Sequence, residues 1–172
     1  VYAEDESDDP TLMSLRQAYA NLSAVESFKA LRESTPLLVA WDDHDYGMND
    51  GGAGFVQREA SQQVFVDFWN DGPDSPRRAR PGVYDSYVFG PAGKRVQVIL
   101  LDTRFFRSDL KTGPRRVGGP YYPDKNPQLT MLGEVQWKWL EKQLRQPAEI
   151  RIVVSSIQFV PTASGQETWD NL

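Results

Sequence analysis

The chain has 172 residues, 40% of them hydrophobic and 25% charged, with eight Phe, seven Tyr and five Trp; disordered chains lack such an aromatic complement, so one globular domain with a packed core is expected. Nineteen basic against 24 acidic residues leave a net charge of −5, and apart from Arg77-Arg78-Ala79-Arg80 and Arg115-Arg116 the cations are scattered, which argues against a nucleic-acid surface. The absence of cysteine excludes disulfides and thiolate metal ligands, and no apolar run reaches the ~18 to 20 residues of a membrane span.

Residues 3 to 9 form an acidic loop, and Asp9-Pro10 offers an N-cap with proline at the first helical position. Leu12, Leu15, Tyr19 and Leu22 then recur at helical spacing, predicting a helix from Pro10 to about Asn21. Ser23 and Glu26 have the spacing of a capping box for a second helix, Ala24 to Glu33, which Thr35-Pro36 ends. Leu37 to Trp41 is a short apolar run that reads as a central strand, placing the charged segment Asp42 to Asp50 at its carboxyl end, where α/β sheets hold ligands. Val56 to Trp69 predicts a helix with Val56, Ala60, Val64, Phe65 and Phe68 inward, and Asp71 to Gly82 a loop.

Tyr84 to Phe89 and Arg95 to Asp102 read as a hairpin across a turn at Pro91 to Lys94. Phe105 to Thr130 is expected to be a long irregular connection, the kind usually kept for function. Gly133 to Gln146 predicts a helix with Val135, Trp139, Leu140 and Leu144 inside, and Trp137, Trp139 and Trp169 are read as core. Ile150 to Ser155 is a further strand, and Phe159 to Leu172 shows no usable period. Alternating helices and strands without internal repeats make the fold class α/β, in a single domain.

Chemistry concentrates in WDDHDYGMND, residues 41–50, which contains the one histidine of the chain. Carboxylates supply oxygen ligands for a hard cation, and a nearby imidazole can carry a proton at neutral pH. The same residues also suit a loop whose aspartates cap a turn and whose histidine is hydrogen-bonded in the wall. Three aspartates crowded at 42, 43 and 45 repel one another unless a cation or an arginine compensates.

These residues carry a resemblance. WDDHDYGMND resembles the Trp-Asp-Asp-His-Glu/Asp signature of the alkaline phosphatase D family, a branch of the calcineurin-like metallophosphoesterases related to purple acid phosphatases. Val1-Tyr2-Ala3 resembles the end of the family's Gly-Asp-x-x-Tyr-Ala-Asp motif, and LLDTRFFRS, 100–108, its Leu-Asp-x-Arg segment. MLGEVQWKWLEKQL, 131–144, and SSIQFVP, 155–161, resemble two more, in the family's order.

The resemblance implies a metal-dependent phosphomonoesterase or phosphodiesterase on a sandwich of two mixed sheets flanked by helices. It also implies iron and calcium as cofactors, a metal-activated hydroxide as nucleophile, and a periplasmic or extracellular setting. By motif position Tyr2 and Asp43 are metal ligands, and His44 faces the phosphoryl oxygens as the catalytic acid or charge stabiliser. Asp42 and Asp45 orient His44 and hold the loop. Asn49 reaches substrate or metal, while Arg104 contacts a phosphate oxygen or pairs with Asp102. Ser156 and Gln158 are weaker candidates, placed where related enzymes present a metal-binding histidine.

The Gly-Asp pair that precedes the tyrosine in the family, its upstream cysteine motif and its Ser-Gly-Asp-Val-His region do not occur here. The chain therefore reads as a partial metallophosphatase domain, incomplete at both ends and expected to be inactive alone. Exposed sheet edges would then favour self-association or a complementing chain. The competing expectation is a non-catalytic remnant that binds a calcium ion through Asp42, Asp43 and Asn49.

Overall fold

The computed structural model describes residues 9–161 and 165–172. Tyr2, with the acidic loop before Asp9, lies outside the described residues. Six helices and five strands follow one another among the described residues: α1 (Met13–Ala24), α2 (Glu26–Ser34), α3 (Asp43–Tyr46), α4 (Arg58–Phe68), α5 (Pro76–Ala79), β1 (Asp85–Phe89), β2 (Val96–Leu100), β3 (Lys111–Arg116), β4 (Gly119–Tyr122), α6 (Gly133–Leu144) and β5 (Ile150–Val154). The class is α/β. No helix among the described residues is long and apolar enough to cross a membrane.

The predicted hairpin is present. β1 and β2 pair antiparallel with Asp85 opposite Leu100 and Phe89 opposite Val96, and the Lys94 N–H closes the turn on the Pro91 carbonyl at 3.0 Å. β5 adds in parallel to the other side of β2, so the sheet order is β1-β2-β5. One face of this sheet is covered: Ile99, whose neighbours in register are Ser86 and Val153, packs with Leu132 and Leu140 on and beside α6. The opposite face carries the rows Phe89–Val96–Ile150 and Tyr87–Val98–Ile152, in which Phe89, Ile150 and Ile152 remain exposed.

A second core joins the helical half. Leu15 and Tyr19 of α1 pack with Val64, Phe65 and Val66 of α4, and Trp41, Tyr46, Phe55 and Phe105 complete the cluster. Trp41 meets Tyr46 and Phe65 edge-on at 5.0 and 5.4 Å between ring centroids, the geometry favoured by aromatic quadrupoles.

Several expectations require correction. Leu37 to Trp41 has no regular secondary structure and pairs with no strand among the described residues; the central strand is β2, and the Val39 carbonyl accepts instead from the Arg77 guanidinium at 3.0 Å. Ser23 lies inside α1, and α2 starts after Val25 without a side-chain cap, so the capping box does not form. Asp9 is not the N-cap: α1 begins at Met13, three residues after Pro10, with Leu12 as its N-cap, and the Asp9 carboxylate accepts from the N–H groups of Thr11 at 2.8 Å and Met13 at 3.2 Å in the turn before it.

The loop of 71–82 holds the short α5, started by a Ser75 side-chain cap with Pro76 behind it. The connection of 105–130 is not wholly irregular, since it contains the β3–β4 hairpin. On α6 the buried side chains are Gln136 and Leu140, while Val135, Trp137 and Leu144 are exposed, as is Val56 before α4. Gln136 turns inward because it has partners there, and the helix rotates to bring it in.

Candidate functional site

The acidic stretch folds as one helical turn. Asp42 and Asp45 form a reciprocal capping box, with the Asp42 N–H donating to the Asp45 carboxylate at 2.6 Å. Gly47 ends the turn at φ 108°, and a Cβ there would meet the Phe55 ring at 3.2 Å, so glycine is required both for conformation and for space. Tyr46 anchors the turn from beneath, its hydroxyl donating to the Gly52 carbonyl at 2.8 Å.

Asp43 accepts two backbone N–H groups, His44 at 2.9 Å on Oδ1 and Asp50 at 3.1 Å on Oδ2. Its carboxylate is thereby fixed in direction while each oxygen keeps a second lone pair. Asp45 is 8% exposed, and burial pushes its carboxyl up to about 6 against the pull of the Asp42 N–H. Ala40 to Asp45 line one wall of an open cleft of about 470 Å³, and Val154 and Ser156 at the carboxyl end of β5 line the other. His44 and Asp43 thus face solvent-filled space beside a parallel strand end. A wider groove of about 570 Å³ runs along the unpaired 37–39 run to Asp85 and Tyr87, and within it Arg77 is already matched by Asp71 in a buried pair.

Beneath the turn lies a buried polar lattice. Asp102, fully buried, accepts Trp41 Nε1 at 2.9 Å and the N–H groups of Arg104 and Phe105 at 2.9 Å on Oδ1, and the Val83 N–H at 2.8 Å on Oδ2. Gln136 clamps the same residue from the other side, accepting from the Asp102 N–H at 2.9 Å and donating to its carbonyl at 2.8 Å. The Leu-Asp-x-Arg segment and the tryptophan of the acidic stretch are therefore one hydrogen-bonded unit, and α6 is attached to it.

Arg104 is 1% exposed. Its Nε donates to Asp42 at 2.9 Å, and Nη1 and Nη2 each donate to Glu167 at 2.6 Å. Burial works against the charged guanidinium, yet Glu167 and Asp42 outweigh it and hold its pKa above the ordinary arginine value. Arg107 also reaches Glu167, at 3.0 Å, and donates to the Asp50 carbonyl. The expected pairing of the Arg104 side chain with Asp102 is replaced: only its backbone N–H meets that carboxylate, because Asp102 is already filled by neutral donors.

The structure brings Asp42, Asp43, His44, Asp45 and Ser156 to one cleft. Asn49 is exposed and turned toward the Asp50 carboxylate at 3.2 Å, and Gln158 is exposed beside Thr168. Of the trio named for calcium, Asp42 is ion-paired with Arg104, Asn49 hydrogen-bonds the Asp50 carboxylate, and Asp43 lines the cleft. Among the described residues no three His, Cys, Asp or Glu side chains are grouped to hold a metal ion. The described donors therefore do not by themselves compose a metal centre.

Sequence reasoning assigned nothing to Glu167, Arg107 or Tyr121. Arg107 and Asp102 lie within LLDTRFFRS, 100–108, a motif signal close to the site, whereas Glu167 sits in a stretch without periodicity and carries none.

The sequence profile of the PhoD-like phosphatases matches residues 3–170. Alkaline phosphatase D of Bacillus subtilis (strain 168) is 25% identical over 151 residues, covering 78% of this chain and 24% of that protein. A solved structure described as "Structure of PhoD" superposes with a TM-score of 0.70 at 20% identity, over 99% of this chain and 39% of the solved one, and so supports the fold. The chain spans about a quarter of the length of the curated relative. Its profile match extends across nearly every residue, and on that ground the chain belongs to the PhoD-like phosphatase family.

Proposed function

We propose that the protein hydrolyses phosphate esters at the cleft beside α3, with His44 serving the phosphoryl group. The observation that carries this is the placement of His44 and Asp43 on an open cleft at the carboxyl end of a strand, on a turn held rigid from below by Asp102 and Arg104. Family membership supplies the reaction class, since phosphoryl transfer depends mainly on positioning and on charge stabilisation.

In this reading the imidazole of His44 donates to a phosphoryl oxygen or hands a proton to the departing alkoxide. Asp45 and Asp42 hold the turn, and Arg104 acts on Asp42 and Glu167 from beneath the cleft. Asn49, exposed and outside the cleft lining, is kept in this reading as a substrate contact. Metal dependence belongs to the same proposal, with iron and calcium as the ions, Tyr2 and Asp43 as ligands, and charge neutralisation as the chemistry supplied. The family motifs support that part; among the described residues no three His, Cys, Asp or Glu side chains are grouped to hold the ions. A periplasmic or extracellular location fits the same family reading.

The test is turnover of p-nitrophenyl phosphate and bis(p-nitrophenyl) phosphate by the full-length protein, before and after chelation. His44→Ala should lower kcat by about 10²-fold or more, as loss of an acid or base group does. Unchanged kcat in that variant, with its secondary structure intact, rejects the role.

A further inference from the structure

We infer that Tyr121, at the base of the β3–β4 hairpin, is a positioning residue for Asp43, acting through Asp50. The inference rests on the proposed reading of Asp43 and His44. Asp50 has φ 49°, a left-handed conformation that aspartate tolerates better than most residues and that hydrogen bonds to its backbone and side chain hold here.

Four neighbours do so. The Asp50 N–H is taken by Asp43 Oδ2 at 3.1 Å, its carbonyl by the Arg107 guanidinium, and its carboxylate by the Tyr121 hydroxyl at 2.6 Å, with Asn49 Nδ2 also on that carboxylate at 3.2 Å. Asp43 Oδ1 meanwhile takes the His44 N–H at 2.9 Å. A line of hydrogen bonds therefore runs from Tyr121 through Asp50 to the carboxylate that abuts His44.

The hairpin end of this line is itself fixed. The Tyr121 N–H donates to the Gly165 carbonyl at 3.1 Å, and a Cβ on Gly119 would meet that carbonyl oxygen at 2.3 Å, so the hairpin sits backbone against backbone on the segment that carries Glu167. Tyr121 does not line the cleft, which Asp43 and His44 do. Its hydroxyl acts at a distance of two hydrogen bonds, by keeping the Asp50 N–H aimed at Asp43. Without it Asp43 keeps one of its two N–H donors and gains freedom to rotate.

The experiment uses Tyr121→Phe in the full-length protein with p-nitrophenyl phosphate. The expected result is a fall in kcat of about 10-fold or more, in the range seen when an outer-shell partner is removed, with KM changed by less than about twofold. Backbone amide exchange of Asp50 should accelerate while the Tyr46 amide, bonded to Asp42 at 2.8 Å within the turn, stays protected. Asp50→Asn keeps an oxygen to accept the hydroxyl and should retain most of the activity. Asp50→Ala should match Tyr121→Phe, and the double variant should be no worse than either.

Wild-type kcat and Asp50 exchange in Tyr121→Phe would overturn the inference. So would multiplicative losses in the double variant, or loss of Tyr46 protection, which would make Tyr121 a general support of the fold. If the unsubstituted protein turns over no phosphate ester, the functional reading fails, and Asp50 exchange still decides whether the clamp exists.

Discussion

Asp102→Asn puts the buried lattice to its most direct test. The carboxylate is fully buried and accepts four donors, three on Oδ1 and one on Oδ2, all between 2.8 and 2.9 Å. Asparagine can keep its oxygen toward Trp41, Arg104 and Phe105, but its amide then points N–H groups at the Val83 N–H. One charge-assisted bond is lost, worth about 1.5–3 kcal/mol, and a buried donor is left unpaired at about 1–3 kcal/mol. The remaining three bonds change from charged to neutral and weaken. Recovery of the carboxylate's burial penalty offsets part of this, so the net loss should be about 2–4 kcal/mol, a large share of the ~5–15 kcal/mol that stabilises a domain. With a urea slope near ~2 kcal/mol per M, the unfolding midpoint should fall by about 1–2 M. Tryptophan fluorescence suits the measurement because Trp41 is itself a donor to Asp102. A midpoint within about 0.3 M of the parent, at unchanged slope, would refute the reasoning.

The other predictions concern the same turn and its support. Glu167→Gln leaves two buried guanidiniums without the carboxylate they share, and removing one partner of such a group costs about 3–5 kcal/mol; the melting temperature should drop by roughly 10 °C, and a drop below about 3 °C would show that Asp42 suffices for Arg104. Asp45, with its pKa raised from 3.8 to about 6, binds more protons folded than unfolded between those values, so its contribution is present at low pH and is lost as pH rises through 6. Asp45→Asn, neutral throughout, should gain stability relative to the parent between pH 4 and 7 by at most about 3 kcal/mol, measured by urea unfolding with chelator present. A difference independent of pH would contradict the burial assigned to Asp45.

Local signals carried well where they were strong. The spacing in Gly133 to Gln146 and the two apolar runs about Pro91 to Lys94 are realised as α6 and the β1–β2 hairpin, because helix period and turn residues act within a few positions of one another. The apolar run 37–41 shows the limit of such signals. Five apolar residues are compatible with a central strand, but a strand exists only through its partner, and none of the described residues supplies one. The inner face of α6 shows the same limit: Val135 and Leu144, expected inside, are exposed, while Gln136 is buried because the backbone of Asp102 offers it both a donor and an acceptor.

The sequence by itself determined the α/β class and pointed to residues 41–50 as the candidate site, because that stretch couples carboxylates to the one histidine after an apolar run. Tertiary structure alone decided how that stretch is held. Arg104 lies 62 residues from Asp42 and 63 from Glu167, and Tyr121 lies 71 from Asp50. Polar pairing over such separations leaves no period in the chain; it is selected when burial makes an unmatched charge or hydroxyl too costly to keep.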